Sequence, residues 1–347
     1  MNASRYPWVV VALLWVVGLL NYLDRQVIFS LFPLLRSDLG LSDTQLGFIG
    51  TAFLWVYAAA SPFSGFLGDR YGPKRVIVAS LLIWSGVTWA TGFARTFPEL
   101  LATRALMGIS EACYLPAGLA MIAAYHGDAT RSRATGLHFS GIYVGIVIGG
   151  IGGGWVGQHY GWRAAFFVLG VVGILYSLVL LPSLKDRQPT FRTNHMAFWS
   201  SAKTVVSTPG VPKFLTVFGA KSTADWLVYT WVPLYLYERF HMSLAESGFS
   251  ATFYAQAASF AGILLGGWLA DRWSQSNAAG RALTQAAGLA AAAPFLFAAG
   301  VTSSSFVLIA SLAVFGLGRG MFDANAMPVL CQLVPPELRG TGYGLLN

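Results

Sequence analysis

The sequence predicts an all-α, polytopic membrane protein, and three observations carry that prediction. Only 10% of the 347 residues are charged while 55% are hydrophobic, whereas a water-facing surface needs about a quarter charged residues. The apolar residues fall into runs close to the ~20 residues a helix needs to cross a bilayer. The 39 glycines and 14% aromatics suit helices that pack closely and anchor at both interfaces.

The runs lie at roughly 8–32, 46–68, 76–95, 99–124, 135–157, 163–184, 213–237, 248–270, 282–300 and 304–334, and an eleventh begins near Arg339. The first holds Asn21, Asp24 and Arg25 and is too long for a cleaved signal. Basic residues gather in alternate connections: Arg5; Arg70, Lys74 and Arg75; Arg131 and Arg133; the stretch from Lys185 to Lys213; Arg272 and Arg281; Arg339. The other connections hold only Arg36, Arg95, Arg163 and Arg239. The positive-inside rule therefore expects a cytoplasmic N-terminus, in the inner membrane of a cell. The net charge of +8 is a topology signal, and no nucleic-acid partner is expected. Cys113 and Cys331 both lie in apolar stretches, so no disulfide framework, metal or other cofactor is expected.

Residues 185–211 are polar and basic and contain Pro189 and Pro209. They read as a cytoplasmic linker, part of it a short interfacial helix. The linker divides six spans (1–184) from a second set (212–347) of four spans plus the start of a fifth. The two sides repeat each other. Gly65-Phe-Leu-Gly-Asp69-Arg70 closes the second span and Gly267-Trp-Leu-Ala-Asp271-Arg272 the eighth. Arg133-Ala-Thr-Gly136 opens the fifth and Arg339-Gly-Thr-Gly342 the eleventh, at offsets of 202 and 206 residues. Duplication of this kind builds many transporter folds. An equal second half would extend through a twelfth span, so this reading expects the second bundle to be incomplete.

The stretch from Gly65 through Asp69, Arg70 and Gly72 to Lys74 and Arg75 resembles the signature loop of the major facilitator superfamily. Arg104-Ala-Leu-Met-Gly108, the glycines of span five from Gly141 to Gly154 and Gly161-Trp-Arg163 agree with that resemblance. It implies two six-helix bundles rocking about a central site, a carrier and not an enzyme, working as a monomer. Asn21-Tyr22-Leu-Asp24-Arg25 with Arg104 and Glu111 is similar to the anion:cation symporter branch, which includes sugar-acid carriers. The Spinster-like branch, whose members move lipids, has a similar pattern. The first resemblance implies that Tyr22, Arg25, Tyr57 and Arg104 contact substrate and that Asp24 and Glu111 couple protons. The polar amide this branch expects in span five has no counterpart: Ile142 falls near it, with His138 and Tyr143 beside.

Eight ionisable residues lie inside spans: Asp24, Arg25, Arg104, Glu111, Lys221, Asp225, Arg319 and Asp323. Each costs about 2.5–3.5 kcal/mol at mid-bilayer without a partner or a watery cavity. Lys221 and Asp225, like Arg319 and Asp323, are four apart and are expected to pair within their own helices. That set reads equally as a structural lock, with Asn325 as a polar group for the cavity. Asp69, Arg70, Lys74, Arg75, Asp271 and Arg272 are expected to gate. Tyr114, Tyr143, Trp226 and Tyr229 are further candidates to line a pocket, though any one aromatic also serves packing or the lipid belt. His138 reads as a packing group, and the span-five glycines as close helix contact, since no strand precedes them.

The expected mechanism is proton-linked movement of a small organic anion. Arg25 and Arg104 hold its carboxylate, while Glu111 and Asp24 sit between burial, which favours the neutral acid, and arginine, which favours the anion. Lipid or drug export is the alternative. No nucleophile–base pair, His/Cys cluster or large extramembrane domain supports an enzyme or a receptor.

Overall fold

The computed structural model describes residues 5–186, 198–242 and 244–347, with no strand among them. The first six spans comprise α1 (Tyr6–Ser30) continued by α2 (Phe32–Leu39), α3 (Asp43–Tyr71), α4 (Pro73–Thr91), α5 (Phe97–Ala112) with α6 (Tyr114–Tyr125), α7 (Arg131–Tyr160) and α8 (Trp162–Ser183). A short helix, α9 (Phe198–Ser207), falls in the expected linker. Then come α10 (Val211–Phe240), α11 (Leu244–Trp273), α12 (Gly280–Val301), α13 (Ser305–Asp323) with α14 (Ala326–Leu333), a 3₁₀ turn (Pro336–Leu338) and α15 (Arg339–Leu346).

Among the described residues, eight of the spans are long and apolar enough to cross a membrane. The other two expected ones are α4, whose 19 residues reach ~28 Å, and α10, whose hydropathy is lowered by Lys213, Lys221, Asp225, Glu238 and Arg239. Local chemistry sets the ends. Proline occupies the first turn of α1, α4, α5 and α10, where its missing N–H costs nothing. Ser42 and Gln45 form a reciprocal capping box at the start of α3. Gly72 and Gly161 adopt φ of 90° and 80° and let the chain reverse sharply between α3 and α4 and between α7 and α8.

The fourth and tenth spans, expected as continuous, are each broken in the middle. Pro116 lacks the N–H that the Ala112 carbonyl needs, and Pro328 does the same to Ala324. The chain kinks at Cys113 and at Asn325. The Ala112 carbonyl is instead satisfied by the Ser64 hydroxyl of α3 at 2.8 Å. Each break directly follows an acid and one alanine: Glu111-Ala112 in one half, Asp323-Ala324 in the other. The repeat therefore extends to these acids and their prolines.

Glycine brings the helices together. A β-carbon on Gly141, Gly145 or Gly149 of α7 would strike the carbonyl oxygens of Trp15, Leu19 and Leu23 of α1 in turn. On Gly153 and Gly157 it would strike Val27 and Leu31. The ladder is thus a helix contact, as its sequence context suggested. The later spans use the same device, Gly262 and Gly266 of α11 meeting Leu317 and Met321 of α13.

The repeated motifs grip each other crosswise. Asp69 of α3 accepts the Gly340 N–H (2.9 Å), the Thr341 N–H (2.6 Å) and the Thr341 hydroxyl (2.7 Å) at the start of α15. Asp271 of α11 accepts the Ser132 N–H (3.0 Å) and Arg133 N–H (2.9 Å) at the start of α7. Each motif of one half thus caps a helix of the other, where orphan N–H groups and the helix dipole favour a carboxylate. Gly65 and Gly267 allow the approach, their faces lying on the backbone of Gly340 and Ser132. Both latches lie on the side of the molecule that carries the N-terminus.

Candidate substrate and coupling site

In the last two turns of α1, Arg25 donates from Nε to the Glu111 Oε2 at 2.6 Å. The guanidinium lies 4.3 Å from the Tyr57 ring centroid, 4.6 Å from Tyr22 and 5.0 Å from Phe53. Three aromatic faces thus hold one cation, an arrangement worth more when desolvated. Glu111 is fully buried, with the Asn21 amide facing it. The Asn347 amide donates to the Tyr57 and Ser61 hydroxyls at 2.6 and 2.9 Å.

Asp24 and Arg104 face Glu111 but make no hydrogen bond to this cluster among the described residues. Asp24 is buried and accepts from the Thr88 hydroxyl at 3.4 Å. Arg104 is 2% exposed and donates to the Met107 sulfur at 2.7 Å. It forms no ion pair among the described residues, and the charges that act on it are Glu111 and Asp24. The expected pair of guanidiniums on one carboxylate is therefore not assembled: Arg25 faces the aromatic cluster, and Arg104 faces the interior of the first six spans.

The later spans gather their four charges into one ring, where separate pairs within each helix were expected. Lys221 reaches both Asp225 (2.8 Å) and Asp323 (2.5 Å), and Arg319 lies 3.4 Å from Asp225 and 3.6 Å from Asp323. Tyr143 of α7 donates to Asp323 at 2.9 Å, and the Arg319 guanidinium stands 5.2 Å from the Tyr143 ring. Arg319 also faces the Gln256 amide oxygen of α11 at 3.4 Å. Tyr22 is within electrostatic range of Arg25 and Tyr57 in the first cluster and of Arg319 and Asp323 in the second.

Asn325 does not join this ring. It is fully buried, and its amide donates to the Met321 and Gly266 carbonyls at 2.9 and 3.3 Å, closing the kink against α11. Tyr114 donates to the Leu14 carbonyl at 2.7 Å and so serves packing. His138 lies fully buried beside it, with Gly18 against its ring. Trp226 and Tyr229 lie outside the described side chains.

Of the expected gate residues the two acids form the latches and the bases do not. Arg70 lies against the Phe66 and Tyr71 rings and Arg272 against Trp268. Lys74 is held by its backbone N–H, 2.9 Å from Asp186. Among the described residues neither Arg70, Lys74, Arg75 nor Arg272 forms an ion pair. The bases that do reinforce a latch are Arg133, 3.3 Å from Asp271, and Arg281, 1% exposed, 3.7 Å from Asp271 and donating to the Asp128 carbonyl at 2.6 Å. Sequence reading counted Arg281 only toward topology. The lone glutamine of the eighth span was the available signal for Gln256, and Phe53, one turn from Tyr57, for the aromatic cluster.

Paired half-repeats, buried charges at their junction and reciprocal latches define a membrane carrier. The chain belongs to the major facilitator superfamily, whose family description matches residues 14–347; it is a multi-pass transporter and not an enzyme. It is 30% identical over 98% of its length to the probable galactarate/D-glucarate transporter GudP of Bacillus subtilis, covering 81% of that protein. It is 27% identical over 98% of its length to protein spinster homolog 1 of Bos taurus, covering 69% of that protein. Among solved structures it superposes on the superfamily transporter FucP in the outward conformation with a TM-score of 0.79 at 14% identity, covering 99% of this chain and 89% of the other.

Proposed function

We propose that the protein is a proton-coupled symporter of a small organic anion such as a sugar acid. The observation that carries this is the Arg25–Glu111 pair, set among Tyr22, Tyr57 and Phe53. Removing one partner of a buried pair leaves an uncompensated charge, so Arg25 stays with Glu111 until another anion replaces it. A proton on Glu111 releases the guanidinium, and a substrate carboxylate takes the vacated place with fork geometry suited to it. Proton and anion then travel together because neither alone leaves the site neutral. The aromatic rings supply faces for a sugar-acid carbon chain. The similarity to a galactarate/D-glucarate transporter supports that substrate class.

In this reading Asp24 and Arg104 act through Glu111. Residues 1–184 and 212–347 are two bundles that rock about the linker 185–211, in a monomer whose N-terminus is cytoplasmic in the inner membrane. The latches of Asp69 and Asp271 then close the cytoplasmic side, and the molecule faces outward. The test is uptake of galactarate and D-glucarate into proteoliposomes under an inward proton gradient. Accumulation that collapses with a protonophore is expected; uptake indifferent to the gradient would refute the coupling.

The similarity to a Spinster homologue favours lipid export as the second reading. Flux of a lysolipid without flux of any sugar acid, in the same vesicles, would establish it instead.

A further inference from the structure

Each half carries a cation on its first span, paired to the acid that precedes the proline break of its fourth. Arg25 meets Glu111 at 2.6 Å and Lys221 meets Asp323 at 2.5 Å. The second pair is widened by Arg319 and Asp225 into a ring, so this half presents two cations at the junction. The side chains of Arg25, Lys221 and Arg319 keep 15, 8 and 12% of their area accessible, whereas Arg104 is sealed. Tyr22 lies against Arg25, 4.6 Å from the guanidinium, and within electrostatic range of Arg319 and Asp323, and Tyr143 reaches across from α7 to Asp323.

From this arrangement we propose that the site is two-ended and takes an α,ω-dicarboxylate, with one carboxylate on Arg25 and the other on Lys221 and Arg319. The inference rests on the organic-anion reading above and deepens it. Among the described residues each end is neutral as it stands, Arg25 and Arg104 against Glu111 and Asp24 at the first and two cations against two anions at the second. A carboxylate added to either end leaves a buried negative charge, which a low-dielectric surrounding penalises. One proton per end restores neutrality.

At the first end the proton goes to Glu111, which Arg25 and Asp24 face from α1 and Arg104 from α5. At the second it goes to Asp323, which is faced by Lys221 and Asp225 from α10 and Arg319 from its own helix. Tyr143 faces it from α7, Tyr22 from α1 and Tyr343 from α15. A diacid thus enters with two protons, and a monoacid, which fills one end, with one. A diacid also ties α1 to α10 and α13, so its binding energy draws the two halves together.

Galactarate and galactonate, the diacid and monoacid of one sugar, are the probes. In proteoliposomes of the unaltered protein we expect two protons per galactarate and one per galactonate; the same ratio for both would overturn the two-ended site. The paired change Lys221→Met with Asp323→Asn removes one cation and one anion and keeps Arg319 with Asp225. It is expected to weaken galactarate binding about tenfold or more and galactonate binding several-fold less than that. Equal effects on both acids, or none on either, would contradict the proposal. Failure of the unaltered protein to carry either acid would refute the organic-anion reading itself, and the two-ended site with it.

Discussion

Asp69 holds Thr341 by two hydrogen bonds, 2.6 Å from its backbone N–H and 2.7 Å from its hydroxyl. Asp271 repeats the grip on Ser132 and Arg133 in the opposite direction. One duplicated motif has become two latches because each acid caps a helix contributed by the other half.

Breaking a latch should open the face that carries the N-terminus. Asp69→Ala loses three hydrogen bonds to a charged acceptor, each worth about 1.5–3 kcal/mol where fully formed. Cys331, buried on α14 near Arg281 and Arg339, is a native reporter. In a Cys113→Ser background, Asp69→Ala or Asp271→Ala should raise the rate of Cys331 alkylation by a membrane-permeant maleimide. An unchanged rate in both would show that the latches do not hold this face shut.

The cage around Arg25 predicts that charge alone is insufficient. Arg25→Lys keeps the cation but loses the planar guanidinium that lies against Tyr22, Phe53 and Tyr57. Substrate binding should weaken about tenfold. Titration in detergent measures this, and equal affinity would contradict it.

The α1–α7 contact makes two neighbouring glycines behave oppositely. Gly145→Ala puts a methyl into the Leu19 carbonyl, and overpacking of this kind costs about 1–3 kcal/mol. Gly152 has only the Ile148 side chain nearby, at 3.9 Å, so Gly152→Ala should be neutral or stabilising by up to about 1 kcal/mol. Thermal unfolding in detergent separates the two.

His126 lies in the connection after α6, hydrogen-bonded through Nδ1 to Thr130 at 3.0 Å and against the Trp8 ring. Burial, aided by the nearby Arg131, holds its imidazole below the usual histidine range, against the opposing pull of Asp271 and the Pro7 backbone. A depressed folded value means that the unfolded chain takes up the proton first. The stability from neutral His126 is therefore complete above ~6.5 and is lost as pH falls through the folded value. His126→Gln should flatten that part of the thermal-stability profile between pH 7.5 and 5; an unchanged slope would assign it to other groups.

Much of this was legible in the chain because membrane helices obey few rules. Apolar length located the spans, and the offset motifs located both latches, since Asp69 and Asp271 stand at equivalent places. Spacing four apart correctly suggested that Lys221 could meet Asp225, but said nothing of Asp323 lying closer still on another helix. Arg104 was read from the family resemblance and Asn325 from residue type, and neither says which way a buried side chain turns. Arg104 turned inward to Met107, and Asn325 turned to the backbone of α11. The breaks at Cys113 and Asn325 carried a signal in Pro116 and Pro328, one turn beyond the carbonyls they deprive of a helical partner.

The central claim is that a proton on Glu111 frees Arg25 for the substrate carboxylate, and Glu111→Gln in proteoliposomes tests it most directly. The glutamine mimics the protonated acid, so galactarate counterflow should persist while an inward proton gradient no longer drives accumulation. Accumulation against a gradient at the level of the unaltered protein would contradict the claim.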